Sequence, residues 1–443
     1  PGAWKALVRT LRSGRLEMVP PELSSSLLAP ALKPEPIPVH LRVILVGDAF
    51  TYALLDRHDA DFPELFKVLA DFDSLMKRNR QAAQQYAGVI ASLARDEKLL
   101  PFHRTAVAAL VEHGARVASY RGKLSARFGR VADIAREAAF LAGRAGARQV
   151  SGEDVHEAVR RTKARASLPS RRFQELLKDG TIRVQTRGRV VGQINGLAVI
   201  SAGPLVYGFP ARITASIGAG TAGIINIEGR ASLSGSLHTK GFQILGGLLR
   251  HLLQADHALA FSASLAFEQS YGGIDGDSAS GAEICCLLSA LTGIPLRQDL
   301  ALTGAIDQVG HLMAIGGVNE KIEGFFDTCR NLRLSGRQGV IIPAANVGDL
   351  MLRPDVVEAR RAGRFHVYAV DMVLQALELL TGKPTGVRRE GQPYPPGTLL
   401  HLAVARAAEF WRKSFQSPGL AQGGSGESPA AENLNKKSRS RKK

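Results

Sequence analysis

The chain has 443 residues, of which 45% are apolar and 22% are charged, so there is room for two or three domains with buried cores. Its net charge of +17 favours anionic partners such as nucleic acid, although a solvated basic surface gives the same balance. No apolar run reaches the length of about 18 residues that predicts a membrane span, and the three cysteines lack metal-ligand spacing, which fits a reducing cytoplasm. Because the first residue is Pro1 rather than Met, we expect the natural chain to begin upstream.

The N-terminal part, residues 1–75, mixes helix and strand patterns. The run HLRVILVGD (40–48) is continuously apolar before its Gly-Asp end, which predicts a buried parallel strand. The segment LFKVLADFD (65–73) predicts a second strand or a short helix.

Residues 76–165 have helical periodicity and predict a small helical domain. The segment SGEDVHEAVRRTKARA (151–166) begins with Ser151 and has Asp154 three residues later, which predicts a capping box. A basic linker, 166–182, follows and could hold one short helix.

Residues 183–385 are richer in glycine and have shorter apolar runs. Strands are predicted at 189–201, 209–218, 223–229, 339–346 and 365–370, and helices around 239–255, 281–292 and 371–382. This order indicates an α/β or α+β domain. The C-terminal extension, 386–418, has one candidate helix at 399–415, and the basic tail, 419–443, is predicted to be disordered.

The stretch GGIDGDSASGAEICCLLSAL (272–291) presents Ser278 where a turn meets an apolar helix. Ser278 is either a helix cap or a nucleophile, and a nucleophile needs a base. Lys321 in IGGVNEKIEGF (315–325) could be that base if burial lowers its pKa by about 3 units from about 10.4, and otherwise it is a surface lysine. Glu283 and the pair Cys285 and Cys286 are expected to face the core or solvent rather than the chemistry.

The motifs DGDSASGAE and LTGAIDQVGHLMAIGGVNEKIEGF together resemble the proteolytic domain of Lon proteases, and GDSAS in particular resembles the Lon-B-like branch. The resemblance covers roughly 183–385 and implies that Ser278 is the nucleophile and Lys321 its base, 43 positions apart. It implies that Thr303 positions the lysine amine, with an ordinary strand-end threonine as an equal alternative. Asp277 would orient the site or cap the helix. The helix beginning near Ser280 would then direct backbone N–H groups to an oxyanion, and Ser280 becomes the better cap candidate.

The region before residue 166 resembles the C-terminal part of an AAA+ ATPase module followed by its helical lid. This resemblance implies nucleotide contacts by Asp48, at the end of the predicted strand, and by Arg127, at the start of a lid helix. Arg57 lies near the expected position of an arginine finger, but the match is weak and a surface arginine is the favoured alternative. No G-x-x-x-x-G-K-[ST] motif occurs, so we expect no ATPase activity from this chain alone, and ATP and Mg²⁺ only in the complete protein.

The resemblance therefore predicts an ATP-dependent serine endopeptidase in a cytoplasmic homohexamer that degrades unfolded or tagged proteins. No metal or cofactor is expected in the proteolytic domain, and no membrane partner. The alternative is a non-proteolytic ATPase on the same fold that acts on nucleic acid, with the basic tail as a non-specific contact. A third alternative is a fragment that only assembles.

Overall fold

A computed structural model describes residues 2–17, 35–202, 205–270, 273–388 and 392–416. The chain divides into two compact units, Pro1–Asp73 and Ser74–Lys443. The predicted disordered tail, 419–443, lies outside the described residues.

The first unit is made of short helices and one strand pair. Its elements are α1 (Gly2–Ser13), β1 (Arg15–Leu16), β2 (Ile37–Pro38), α2 (Ala49–His58) and α3 (Phe62–Leu65). The aromatic side chains of Trp4, Tyr52, Phe62 and Phe66 pack against one another and join α1, α2 and α3.

The prediction of a strand at 40–48 is wrong, and so is the prediction of a strand or a short helix at 65–73. Residues 40–48 have no regular structure, and the side chains of Ile44 and Val46 are 87% and 95% exposed. After Leu65 the chain likewise has no helix or strand up to Asp73. Among the described residues of this unit only β1 and β2 pair, so neither apolar run has a neighbouring strand to bond with.

The second unit begins with the helical segment 76–165, as predicted. Its elements, with the linker helix that follows, are β3 (Leu75–Lys77), α4 (Arg80–Asp96), α5 (Arg104–Val117), β4 (Lys123–Ser125), α6 (Phe128–Arg144), α7 (Gly152–Arg165) and α8 (Leu168–Lys178). The capping box of Ser151 and Asp154 is confirmed, because each side chain hydrogen-bonds the backbone N–H of the other residue. Small alanines and Tyr86 fill the core between these helices.

A seven-stranded mixed sheet forms the frame of the remaining residues, which confirms the predicted mixed α/β class. The strands of this part of the chain are β5 (Arg189–Val190), β6 (Gln193–Ala202), β7 (Leu205–Ala219), β8 (Gly223–Asn226), β9 (Phe261–Phe267), β10 (Leu296–Arg297), β11 (Leu300–Leu302), β12 (Ala305–Ile306), β13 (Leu312–Met313), β14 (Gly339–Pro343) and β15 (His366–Val370). Of these, β5 pairs with β10 and β12 pairs with β13 outside the seven-stranded sheet. The sheet order is β15-β14-β11-β6-β7-β9-β8. Each neighbouring pair from β15 to β6 is parallel, whereas β7 is antiparallel to both of its neighbours, β6 and β9.

Helices cover both faces of this sheet. They are α9 (Ile227–Arg230), α10 (Ser236–Leu253), α11 (Ser280–Thr292), α12 (Val318–Asn331), a 3₁₀ helix (Ala344–Asp349), α13 (Pro354–Arg361), α14 (Val373–Thr381) and α15 (Leu399–Gln416). The predicted strand at 223–229 is therefore too long, since it ends at Asn226 and Asn226 caps α9.

The alternation of side chains along β11 sends successive residues to opposite layers. Leu300 and Leu302 pack in the layer of α10, α11, α14 and α15, whereas Ala301 packs in the layer of α12 and α13. Helices α11 and α12 therefore lie on opposite faces of the sheet. Their N-terminal ends meet near the residue that follows β11, Thr303.

Candidate functional site

Ser278 lies in the turn before α11 and is not the helix cap. The capping position is Ala279, and Ser280 is the first helical residue, so the expectation that Ser280 caps the helix is also wrong. The Ser280 hydroxyl instead donates to the Asp277 carbonyl at 2.8 Å and accepts from the Ile306 N–H at 3.1 Å. These bonds fix the turn from the side of the helix.

The carbonyl of Ser278 is held from the side of the sheet. It accepts a hydrogen bond from the Gly304 N–H at 2.8 Å and one from the Thr303 hydroxyl at 3.2 Å. The end of β11 thus fixes the backbone that carries the Ser278 side chain.

Lys321 lies in the first turns of α12, which begins in the glycine-rich turn at 315–317. Gly317 has a φ of 68°, and a Cβ atom there would lie 2.9 Å from Val199 Cγ1, so the turn requires glycine. The amide of Asn346, in the 3₁₀ helix after β14, accepts from the Ile315 N–H at 2.9 Å and donates to the Ile315 carbonyl at 3.0 Å.

The backbone of α12 also lies so close to the backbone of β7 that there is no room for a side chain between them. A Cβ atom on Gly208 would lie 2.1 Å from the Glu320 carbonyl oxygen, and one on Gly324 would lie 2.0 Å from the Gly208 carbonyl oxygen. This backbone contact sets the depth at which Lys321 is buried.

The two elements bring Ser278 and Lys321 into hydrogen-bond contact. Lys321 Nζ lies 2.8 Å from Ser278 Oγ and 3.2 Å from Thr303 Oγ1. Lys321 is only 2% exposed and Thr303 is fully buried. Three residues distant in sequence therefore form one cluster, with the amine between two hydroxyl groups.

Burial lowers the pKa of Lys321 from 10.5 to about 8, and the nearby Asp277 carboxylate raises it only in part. A large fraction of the amine is therefore neutral at slightly alkaline pH. A serine hydroxyl beside a neutral amine can be deprotonated as it attacks a carbonyl carbon, which is the chemistry of nucleophilic catalysis.

Of the residues expected to contact a nucleotide, Asp48 and Arg57 lie in the first unit and Arg127 lies in the second. Asp48 caps α2, and its carboxylate accepts from the Thr51 N–H at 2.7 Å. Arg57, in the last turn of α2, and Arg127, which precedes α6, are both exposed. The sequence has no G-x-x-x-x-G-K-[ST] phosphate loop.

The sequence did not predict two pairs of charged or polar side chains near the dyad. His238 on α10 pairs with Glu283 on α11, at 3.1 Å, and both are buried, so of the two positions expected for Glu283, core or solvent, it takes the core. Arg116 on α5 pairs with Glu323 on α12 at 2.7 Å and links the helical segment to the lysine helix. Glu283 and Glu323 lie within the two quoted motifs, but their partners His238 and Arg116 lie outside any motif and distant in sequence.

The described residues contain no cluster of three or more His, Cys, Asp or Glu side chains arranged to hold a metal ion. Over the same residues no helix is long and apolar enough to span a membrane. The cysteines Cys285, Cys286 and Cys329 are unpaired and buried.

Three family models match the chain in succession. Residues 1–73 match the LonB-like AAA domain, 101–165 match the archaeal LonB AAA+ ATPase lid domain, and 272–380 match the Lon protease (S16) C-terminal proteolytic domain. This is the domain order that the sequence motifs predict.

Individual proteins of the same kind are similar over most of the chain. A putative Lon protease homolog of Escherichia coli is 36% identical over 78% of this chain and 58% of its own length. A putative Lon protease homolog of Haemophilus influenzae is 42% identical over 56% of this chain and 42% of its own. The archaeal Lon protease of Thermococcus kodakarensis is 29% identical over 81% of this chain and 53% of its own. The chain thus spans about half the length of these relatives.

Proposed function

Because this chain belongs to the Lon family and its ATPase domains are of the LonB type, we propose that it is a serine endopeptidase with Ser278 as nucleophile and Lys321 as general base. The observation that carries the proposal is the 2.8 Å contact between Lys321 Nζ and Ser278 Oγ, at a lysine whose pKa burial lowers to about 8.

The hydrogen bonds around Thr303 orient the base. The Thr303 hydroxyl donates to the Ser278 carbonyl, so toward Lys321 it acts as an acceptor and takes one N–H of the amine. A neutral amine has a single lone pair, and with one N–H taken by Thr303 this lone pair can accept the proton of the Ser278 hydroxyl. Thr303 is therefore a positioning residue that favours proton transfer from Ser278 to Lys321.

The reaction then proceeds through an acyl-enzyme. Ser278 Oγ attacks the peptide carbonyl carbon while Lys321 takes the hydroxyl proton, and the resulting ammonium protonates the leaving amine as the C–N bond breaks. Water attacks the Ser278 ester with Lys321 again accepting a proton, and that proton returns to Ser278 Oγ. Asp277 supports the ammonium form, because its charge opposes the lowering of the Lys321 pKa.

Backbone N–H groups at the start of α11 would stabilise the oxyanion. The Ser280 N–H donates to the Asp277 carbonyl and the Gly281 N–H donates to the Gly304 carbonyl, so both are occupied. The N–H groups of Ser278 and Ala279 have no partner among the described residues and lie at the positive end of the helix dipole. We assign the oxyanion hole to these two groups.

Replacing Ser278 with alanine is expected to reduce cleavage of a short unstructured peptide by at least about 10⁴-fold, because the attacking oxygen is removed. The matched control is Ser216→Ala, at an exposed serine of β7, which should cleave like wild type. Release of a fluorescent peptide product measures both. Equal cleavage by wild type and Ser278→Ala would refute the proposal.

We extend the proposal to a protein of the relatives' full length, about half of which this chain spans. There the AAA+ domain would bind ATP with Mg²⁺, with Asp48, Arg57 and Arg127 as nucleotide contacts, in a cytoplasmic homohexamer that degrades unfolded or tagged proteins. The support is the pair of matches to LonB-type AAA and lid domains.

A non-proteolytic protein acting on nucleic acid is not favoured, because both dyad residues are present and in contact.

A further inference from the structure

A buried histidine–glutamate pair joins α11, the helix that follows Ser278, to α10. His238, on the first turn of α10, and Glu283, on the first turn of α11, have side chains that are 1% and 3% exposed. His238 Nε2 lies 3.1 Å from the Glu283 carboxylate. The pair bridges two helices, and the proposed reaction described above uses neither residue.

The second ring nitrogen of His238 is also hydrogen-bonded. Nδ1 lies 2.9 Å from Ser234 Oγ, which lies 2.9 Å from Thr239 Oγ1, and the Thr239 hydroxyl donates to the Gly235 carbonyl at 2.9 Å. If each hydroxyl donates to the next group, Ser234 can only accept from Nδ1–H. That assignment protonates both nitrogens of His238 opposite the Glu283 carboxylate.

The charged state of His238 agrees with its surroundings. Burial lowers its pKa, but hydrogen bonding to Glu283, with the charges of Glu283, Glu228 and Asp275, outweighs burial and raises the pKa above its usual value. Glu228 comes from α9, and the ring of Phe267 on β9 packs edge-on against His238. The carboxylates around the imidazole therefore come from three separate elements.

The first turn of α10 also holds the segment that precedes the nucleophile. Ile274 exchanges two backbone hydrogen bonds of 2.7 Å with Leu233 and Gly235. The carboxylate of Asp275 accepts from the N–H groups of Leu237, at 3.1 Å, and of His238, at 3.3 Å. His238 thus contacts the loop before Ser278 through its backbone and the helix after Ser278 through its side chain.

We propose that the His238–Glu283 pair positions Ser278 for attack by locking the loop at 274–279 between α10 and α11. This inference rests on the proposed peptidase function. The pair is a positioning device and not part of the proton transfer, because Lys321 and Thr303 occupy the hydrogen-bonding sites around Ser278.

The test combines backbone hydrogen exchange with peptide cleavage, using His238→Ala, His238→Gln and the control His251→Ala, at an exposed histidine of the same helix. In His238→Ala we expect backbone hydrogen exchange in the loop 274–279 to accelerate at least about tenfold, compared with exchange in the strands of the sheet. We expect kcat to fall by about 10²-fold with KM nearly unchanged, because the loop is misplaced while the binding surface is kept.

His238→Gln places an N–H donor near the position of Nε2 and should recover most of kcat, whereas His251→Ala should match wild type in both measurements. If His238→Ala does not fold, Glu283→Gln tests the same contact with a side chain of equal size. The deciding variant is His238→Ala or, if that variant does not fold, Glu283→Gln. The inference would be overturned if the deciding variant has the loop exchange rate and the kcat of wild type. Failure of wild type to cleave peptides would refute the proposed function instead, and the exchange measurement would still decide whether the pair orders the loop.

Discussion

Replacing Lys321 with methionine is expected to abolish peptide cleavage and at the same time to stabilise the fold at neutral pH. Cleavage is lost because no other base lies within hydrogen-bond distance of Ser278 Oγ among the described residues. Stability rises because methionine fills a similar volume without the cost of burying an ammonium group.

The stabilisation has a defined pH dependence. In the folded state the pKa of Lys321 is about 8, below its value of 10.5 in the unfolded chain. Below pH 8 both states are protonated and the full penalty of about 3 kcal/mol destabilises wild type, at 1.36 kcal/mol per pKa unit. As the pH rises from 8 towards 10.5 the folded state loses its proton first, so the penalty fades.

Denaturant unfolding of wild type and Lys321→Met at pH 7 and pH 10 measures this effect. We expect the variant to be more stable at pH 7 and the difference to narrow at pH 10, because wild type gains stability over that range. Lys178→Met, at an exposed lysine at the end of α8, should show no such trend. Equal stability of wild type and Lys321→Met at both pH values would show that the lysine is not desolvated.

Replacing Gly324 with alanine should impair the site without touching any reacting atom. The new Cβ atom would lie 2.0 Å from the Gly208 carbonyl oxygen, so α12 must move away from β7. Such overpacking costs about 1–3 kcal/mol of stability, and displacing Lys321 by about 1 Å costs about 10²-fold in cleavage rate.

Thermal unfolding and peptide cleavage test this prediction together. Gly246→Ala, within α10, is the matched control, since a Cβ atom there has no neighbour within 4 Å and alanine favours a helix. It should retain activity and lose no stability. Wild-type cleavage by Gly324→Ala would mean that the contact between Gly208 and Gly324 does not set the position of the lysine.

The pairing of Ser278 with Lys321 came from the resemblance of their two motifs to the family, because from the residues alone a helix cap and a surface lysine were open alternatives. The turn before α12 requires glycine at position 317, so its pattern survives in the sequence. The role of Thr303 came from the resemblance to the family, and the structure adds the reason, since its hydroxyl is already committed to the Ser278 carbonyl.

Other features could not be predicted because they depend on partners that sequence does not indicate. The apolar run at 40–48 has the composition of a buried strand, but a strand forms only where a neighbour offers hydrogen bonds. The pair of His238 and Glu283 joins residues 45 positions apart on two helices, and no motif marks His238 as the partner of Glu283. Asn346 fixes the lysine turn from beyond β14, and nothing local distinguishes it from a loop asparagine.

The pH dependence of Ser278 acylation tests the neutral-lysine dyad most directly. Single-turnover release of the amine product from a short peptide should rise about tenfold per pH unit below pH 8 and level off above it, because only neutral Lys321 accepts the serine proton. A rate that is constant from about pH 6 to 10, or that rises until the ordinary lysine pKa of about 10.4, would contradict the assignment of Lys321 as a desolvated general base.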